Sequence, residues 1–199
     1  MLKPYEEKLK LIKSDVEKLG LDIVEALEVC LKALNERKIE NLKNVEVSEK
    51  KFLVKSNEID NLIITTLALY TPEARDLRRM VAFLKITNEM VRTAANTKDF
   101  AKMFRRSYSE DLNTNTILEY TIPLLKSALL STKTAISIID EQEHSKVEEK
   151  YQRVIVEESK TDDLYLMIEK NILKLISQKL DLYTEYVDLL SSLRRLEKI

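Results

Sequence analysis

The sequence predicts an all-α protein built as a tandem of two three-helix bundles, and three observations support this. The chain has one glycine and three prolines in 199 residues, is 44% hydrophobic and 34% charged, and so has the composition of long helices with few turns. Its apolar residues recur at three- and four-residue spacing, as on the buried face of a helix. Six such segments follow one another with short polar stretches between them, and antiparallel helices joined in this way pack as bundles.

Charge and composition narrow the functional classes. The 33 lysines and arginines balance 34 acidic residues, so no overall field attracts nucleic acid or an anionic membrane, and we expect neither as a partner. Cys30 is the single cysteine, which excludes an intrachain disulfide and favours a reducing compartment. Residues 1–7 lack the apolar core of a signal peptide, and no stretch has the length of a membrane span. We therefore expect a soluble, cytoplasmic protein.

The first helix is predicted over residues 5–36. Its buried stripe is expected to contain Val16, Ile23, Leu27, Cys30 and Leu34. Gly20 lies within this helix, where glycine costs about 1 kcal/mol relative to alanine, and we expect that it lets a neighbouring helix approach closely. The position of Cys30 on the stripe predicts a buried, structural thiol. A short turn is expected at residues 37–38.

The second and third helices are predicted to meet at Thr71 and Pro72. Proline fits the first turn of a helix and breaks its interior, so the second helix should end at residue 69 or 70, Thr71 should act as a cap, and Pro72 should open a third helix that runs to about residue 106. The apolar side of this third helix is predicted to be Leu77, Met80, Val81, Leu84 and Val91.

The polar segment 107–114, in which Ser109, Asp111 and Asn113 are candidate caps, divides the chain into a first bundle, residues 1–107, and a second, residues 108–199. The second half is predicted to repeat the first. Helices are expected over residues 115–139, from about 145 to 180, and over 182–199, with Pro123 inside the fourth helix or marking its start and Asp181 as a cap for the sixth. Residues 56–63 align with 158–165, and 88–92 with 194–198. The sixth helix would be about half as long as the third, which leaves the second bundle incompletely covered.

The residues around the second and third helices resemble the PhoU family. The resemblance is carried by Asp60 and Leu62, by the pattern Pro-x-x-x-Asp-Leu-Arg at residues 72–78, and by Ala-Phe-Leu-Lys-Ile at 82–86. Residues 19–27, 158–165 and 196–199 extend it over nearly the whole chain. The resemblance implies a tandem of three-helix bundles, usually a homodimer, that regulates phosphate uptake without catalysis of its own.

The same resemblance implies the partners. Proteins of this family dock on the ATPase of a phosphate ABC importer and on a phosphate-sensing histidine kinase, and hold the phosphate-starvation response off when phosphate is plentiful. Asp60, Arg75, Asp76 and Arg78 are then expected to form the signature surface or its internal bracing. Arginines at a helix N-terminus suit phosphate or an acidic surface; alternatively, Arg78 pairs internally with Asp60, which we favour.

Two other functional classes remain open. One is a helical scaffold that kept the PhoU fold and lost both the metal and the phosphate role. The other is a carboxylate-bridged metal oxidase, which needs two Glu-x-x-His elements. Glu141 and His144 form one by spacing, but His144 is the single histidine and falls in a predicted polar turn, which argues strongly against this enzyme class.

The resemblance also implies metal clusters held by Glu/Asp-x-x-x-Asp pairs on two helices of each bundle. In the first half the corresponding positions are occupied by Ser56, Asp60, Val91 and Ala95. Three of the four are not metal ligands, so we expect no metal there. Without a metal, Asp60 would need Arg92, a backbone amide or water as its partner.

The second half keeps more of this pattern, in Glu158, Asp162 and Glu197. These three carboxylates are the place where iron, zinc or manganese would bind, since hard oxygen ligands on neighbouring helices suit such ions. A fourth ligand would fall beyond Ile199, so we expect a longer natural C-terminus or a missing ligand. Solvated acidic pairs are frequent in a chain with 34 acidic residues, and we favour that interpretation.

Overall fold

A computed structural model describes residues 3–199 and contains six α-helices within that range. These are α1 (Lys3–Asn35), α2 (Glu49–Tyr70), α3 (Ala74–Ser107), α4 (Thr114–Ile138), α5 (His144–Gln178) and α6 (Tyr183–Glu197). Short 3-10 helices, Ile39–Asn44 and Leu180–Leu182, precede α2 and α6. This part of the chain has no β-strand, which confirms the predicted all-α fold with six helices. Residues 1–2, part of the segment considered for a signal peptide, lie outside the described range.

The buried stripe predicted for α1 is confirmed, since its five residues are at most 1% exposed. Gly20 lies on the same face. A Cβ atom placed on Gly20 would lie 2.8 Å from Cγ1 of Ile136, on α4, and 3.1 Å from Cε of Met90, on α3. Carbon atoms pack at about 3.5–4.0 Å. Gly20 therefore leaves room for the side chains of two neighbouring helices, and the close approach of the helices themselves remains a prediction.

The junction between α2 and α3 differs from the prediction. Thr71 has φ 41° and ψ 66°, in the left-handed region, and it ends α2 instead of capping α3. α3 begins at Ala74, with Glu73 before it in an extended conformation. Pro72 thus lies in the turn and does not open the helix. Proline disfavours the right-handed helical conformation at the residue before it, so α2 stops at Tyr70 and Thr71 reverses the chain.

The buried face of α3 is rotated from the predicted one. Leu77 and Val81 are 44% and 41% exposed. Met80 is buried as predicted, and Leu84 and Val91 are half-buried, but the buried face also contains Asp76, Phe83, Thr87, Met90 and Ala94. Two residues of this buried face, Asp76 and Thr87, are polar. A pattern that counts only apolar residues omits them and therefore places the face incorrectly.

The remaining boundaries bring smaller corrections. Asn113, one of the three candidate caps, does cap α4, because its side chain accepts a hydrogen bond of 3.2 Å from the backbone N–H of Thr116. Pro123 lies well inside α4. His144 is the first residue of α5 and not part of a turn. Asp181 lies in the 3-10 helix and does not cap α6, which Leu182 precedes without a side-chain cap.

The two halves share one hydrophobic core. α1 packs against α4 as well as against α2 and α3, and α3 packs against α6. The Asn96 amide donates a hydrogen bond of 3.3 Å to the carbonyl oxygen of Lys198, and Arg195 lies 3.7 Å from Asp99, so α6 runs antiparallel to α3. The division into residues 1–107 and 108–199 remains a prediction. Within residues 3–199, no helix combines the length and apolar character needed to cross a bilayer.

Candidate functional site

The three predicted signature residues on α3 separate into one internal side chain and two external ones. Asp76 is 6% exposed in the first turn of α3, where the helix dipole favours a negative charge. Arg79 Nη1 lies 3.9 Å from its carboxylate. Arg75 and Arg78 are exposed. The structure therefore gives Asp76 an internal bracing position and leaves the two arginines on the surface.

Three helix ends meet around Asp76. The Tyr5 ring, near the start of α1, lies 5.7 Å from the Tyr70 ring at the end of α2, measured between ring centroids. Burial, and next the negative charge of Asp76, raises the pKa of Tyr5. Two aromatic rings and one carboxylate therefore lie beneath the start of α3, which carries Arg75 and Arg78.

Asp60 has a partner that the sequence did not suggest. Thr87, which is 0% exposed on α3, donates a hydrogen bond of 2.8 Å from its hydroxyl to the Asp60 carboxylate on α2. Arg92, proposed as the partner, instead pairs with Glu89 at 2.6 Å, and Arg78 is exposed without an ion pair to Asp60 among the described residues. Both suggested arginine partners for Asp60 are therefore wrong.

The first-half positions that correspond to metal ligands hold no carboxylate besides Asp60. Ser56 is buried, and Val91 and Ala95 are half-buried on α3. Asp60 is partnered by a hydroxyl from the neighbouring helix, which leaves one carboxylate where a cluster needs several. The residues present in the first half do not fit a metal.

In the second half, the three predicted metal ligands differ in how exposed they are. Glu158 and Asp162 are exposed on α5, while Glu197 is half-buried near the end of α6 and has one carboxylate oxygen that is buried without a hydrogen-bond partner in residues 3–199. Over the same range, no group of three or more His, Cys, Asp or Glu side chains is placed to hold a metal ion. The second-half metal site remains a prediction.

Glu157, which was not among the predicted site residues, is a carboxylate of α5 that faces the interior. Glu157 accepts a hydrogen bond of 2.6 Å from the Ser127 hydroxyl on α4, and its side chain is only 12% exposed. It lies one residue before Glu158, a rotation of about 100° around the helix. Its phase with Thr161 and Tyr165, both buried, is the signal that could have identified it.

A groove of about 1180 Å³ runs along α3, α1 and the facing parts of α4 and α5. Its floor is apolar, with Phe83, Met90 and Ile136 among the lining residues. Charged side chains of both signs also line it, including Lys10, Arg75, Glu89 and Glu158. The groove lies beyond the end of α6, between α1 and α3 on one side and α4 and α5 on the other.

Comparison with known proteins relates part of the chain to one family. A model of the PhoU domain family matches residues 16–104, from the middle of α1 almost to the end of α3. This segment, somewhat less than half of the chain, is similar to the PhoU domain. The crystal structure of the phosphate transport system regulatory protein PhoU from Streptococcus pneumoniae matches with a TM-score of 0.76 at 18% identity, over 97% of this chain and 89% of that one. At this identity the likeness establishes the PhoU fold for the second half as well. No curated protein sequence matches the chain.

Within this PhoU fold, the single Glu-x-x-His element has no metal-site geometry. Glu141 accepts a hydrogen bond of 2.9 Å from Lys150. That bond, and next the backbone N–H of Glu143, lowers the pKa of Glu141 to about 2. His144 is exposed at the start of α5. Glu141 is thus held by a lysine and by backbone amides in the α4–α5 turn, and His144 begins α5.

Proposed function

We propose that the protein is a PhoU-like negative regulator of phosphate uptake and phosphate-starvation signalling that acts by docking and has no catalytic activity of its own. The match of the PhoU domain model to residues 16–104 carries this proposal. The fold shared with a protein named as a phosphate transport system regulator supports it. Its partners are the ATPase of a phosphate ABC importer and a phosphate-sensing histidine kinase, at the cytoplasmic side of the membrane, and it works as a homodimer.

The exposed arginines of α3 are the best candidates for the docking surface. Arg75 and Arg78 lie in the first turns of the helix and are exposed. The dipole of α3 disfavours positive charge at this end, so these arginines do not stabilise their own helix. Their planar guanidinium groups suit carboxylates or phosphates on a partner. The buried Asp76 holds the turn that presents them.

A binding experiment with a matched pair of variants tests the proposal. The importer ATPase from the same organism is expected to retain the wild-type protein in a pull-down. Arg78→Glu should weaken this retention strongly, whereas Lys98→Glu, an exposed change on the other end of α3, should leave it unchanged. In cells, deletion of the gene should keep phosphate uptake genes expressed in high phosphate. A normal phosphate response in the deletion strain, together with no retention by the ATPase, would reject the regulator.

The second candidate is a scaffold with the PhoU fold and no phosphate role. The hydrogen bond between Thr87 and Asp60 favours this scaffold function. Asp60 is the one carboxylate at the first-half ligand positions, and it has a hydrogen-bond partner without a metal. Metal analysis of protein purified without chelator tests the second half. Bound iron, zinc or manganese that is lost in Asp162→Ala would support the site predicted at Glu158, Asp162 and Glu197.

A further inference from the structure

Four of the six helices share one face of the molecule. α2 packs against α3, α3 against α6, and α6 against α5. α1 packs against α2, α3 and α4, and α4 packs against α5 and α6, so α1 and α4 lie behind this row. The row α2–α3–α6–α5 therefore presents one outer face, to which the first half of the chain contributes α2 and α3 and the second half contributes α5 and α6.

Apolar side chains lie on this face where α2 meets α3. The hydrogen bond from Thr87 to Asp60 marks the sides on which the two helices meet, and residues three, four or seven apart share a side of a helix. Ile64, four residues after Asp60, is 58% exposed. Leu84 lies three residues before Thr87, and the same side of α3 continues to two exposed apolar residues. The apolar residues of this α2–α3 surface are Leu53, Ile64, Leu77, Val81 and Leu84.

The second half carries the same apolar positions where α5 meets α6. Arg194 of α6 lies over the Tyr165 ring of α5 and marks this contact. The alignment of the two halves has an offset of 102 between α2 and α5 and of 106 between α3 and α6. With these offsets every apolar residue of the α2–α3 surface corresponds to an apolar residue that is exposed or half-buried. The apolar residues of this α5–α6 surface are Ile155, Leu166, Tyr183, Val187 and Leu190.

This repetition distinguishes the two surfaces from ordinary surface residues. Single exposed apolar side chains occur on every soluble protein, whereas apolar residues grouped on one face mark an interaction site. Here the group lies on one face and recurs at equivalent positions in both halves of the chain. The face therefore has the character of an interface with two matched contact regions.

The two surfaces differ in charge. Residues 53–67 and 77–91, which form the α2–α3 surface, contain four cations and three carboxylates, a formal charge of +1. The equivalent residues 155–169 and 183–197 contain three cations and eight carboxylates, a formal charge of −5. These counts include every charged residue of the four segments. An α2–α3 surface is therefore electrostatically matched to an α5–α6 surface, whereas two α5–α6 surfaces repel each other.

A second copy of the chain satisfies this match twice. Both surfaces lie on one face, so two copies that meet face to face about a two-fold axis can place the α2–α3 surface of each copy on the α5–α6 surface of the other. The two contacts are then equivalent, and the assembly closes as a dimer. Each contact buries apolar side chains from both copies and joins surfaces of opposite charge.

We propose that the protein dimerises through this face, with the α2–α3 surface of each copy packed on the α5–α6 surface of the other. The inference rests on the homodimer of the proposed function and adds the two surfaces, their pairing and the charge that selects it. Arg78 belongs to the charged residues of the α2–α3 surface and is also the candidate docking residue. Dimerisation and docking are therefore measured separately.

Sedimentation equilibrium of the full chain at several concentrations of sodium chloride tests the proposal. The wild type should dimerise at low salt. Added salt should weaken the dimer, because it screens the attraction between surfaces of opposite charge. A dimer that pairs each surface with its own copy would show the reverse dependence, since salt then screens the repulsion between two acidic surfaces.

Matched variants locate the interface. Ile64→Glu and Leu166→Lys each place a charge among the apolar residues of one surface and should raise the dissociation constant of the dimer at least about tenfold. Leu21→Glu, on α1 behind the face, should not. The three residues are 58%, 50% and 56% exposed, so all three variants should fold. The double variant Ile64→Glu/Leu166→Lys should regain part of the dimerisation, because the introduced glutamate of one copy then lies on the surface that faces the introduced lysine of the other.

Three outcomes would overturn the proposal. The first is a wild type that stays monomeric at low salt. The second is a dimer that Ile64→Glu and Leu166→Lys leave unchanged, or whose double variant is no stronger than the two single variants. The third is a monomer whose face binds something else, seen as importer ATPase or anionic phospholipid vesicles that bind the wild type and not Ile64→Glu.

The same variants separate this interface from the regulatory role. Ile64→Glu leaves Arg75 and Arg78 unchanged. A wild-type dimer that the importer ATPase does not retain would reject the docking role and leave the interface standing. A monomeric wild type that the ATPase retains equally with and without Ile64→Glu would reject the interface and leave the docking role standing.

Discussion

The Thr87 hydroxyl on α3 donates a hydrogen bond of 2.8 Å to the Asp60 carboxylate on α2. This contact joins the two helices of the first bundle on which the resemblance places metal ligands. The same hydroxyl oxygen lies 3.0 Å from the carbonyl oxygen of Leu84, within its own helix. The side-chain partner of Asp60 is thus a buried threonine and not one of the predicted arginines.

Replacing Thr87 should destabilise the protein more than replacing another buried threonine of α3. Thr87→Val removes the donor to Asp60, and an unpartnered, partly buried carboxylate costs about 1–3 kcal/mol. Thr97 is also 0% exposed, but its hydroxyl donates only to the Thr93 carbonyl oxygen of the same helix, so Thr97→Val should cost less. Urea unfolding measures both. Equal losses, or additive effects of Asp60→Ala and Thr87→Val in a double-mutant cycle, would contradict the interaction.

Alanine at position 20 should destabilise the fold although alanine favours helices. Its Cβ would clash most closely with Cδ1 of Ile136, and would also meet Cγ1 of Ile136 at 2.8 Å and Cε of Met90 at 3.1 Å. Overpacking of this kind costs about 1–3 kcal/mol. The gain in helix propensity offsets about 1 kcal/mol of that cost. Thermal unfolding should therefore show a lower midpoint for Gly20→Ala. Ile136→Val, which removes the Cδ1 atom, should restore part of the loss in the double variant, and a lack of any rescue would count against this contact.

The low pKa of Glu141 predicts a specific dependence of stability on pH. Lys150 and neighbouring backbone amides lower this pKa from 4.5 to about 2, so the folded state favours the charged carboxylate. The resulting stabilisation is complete above the unfolded-state pKa and is lost as the pH falls through the folded-state pKa. The difference in unfolding free energy between the wild type and Glu141→Gln should therefore be largest near neutral pH and shrink between pH 4.5 and about 2. Glu149→Gln, an exposed change on α5, should show no such trend.

The Cys30 thiol should be unreactive in the folded protein. It is 0% exposed, and burial raises its pKa from 9.0 to about 12, so little thiolate forms at neutral pH. A thiol reagent at pH 8 should modify it only after denaturant is added. Because the unfolded thiol ionises first, the protein should also lose stability as the pH rises from 9 toward about 12, and Cys30→Ala should lack this contribution. Rapid labelling of the native protein would disprove the burial.

The parts of the fold that follow from apolar spacing were predictable, and the parts that depend on buried polar groups were not. The stripe of α1 follows from the residues themselves, because a helix that buries one long face must be apolar along it. The face of α3 does not, since two polar residues lie on it: Asp76, which pairs with Arg79 of the same helix, and Thr87, which donates to Asp60 of α2. The partner on α2 exists only once the helices are packed.

The candidate site was predictable in part, for a geometric reason. The relative lengths of the third and sixth helices indicated an incompletely covered second bundle, and the groove lies beyond the end of α6. The phase of α5 could not be fixed from its acidic residues, because a shift of one residue turns a side chain by about 100°. This is how Glu157, and not Glu158, comes to face Ser127.

The contact between Gly20 and Ile136 has a consequence for how the two halves of the chain can evolve, as well as for folding. The first half carries an indentation at position 20, and the second half carries the side chain that fits it. If the chain arose by duplication of one three-helix unit, the two copies have since diverged, so that one copy now accommodates a side chain of the other. Neither half could then be replaced independently. A recombination event that exchanged one half would have to supply a residue that still fits its partner, Gly20 or Ile136, in the other half.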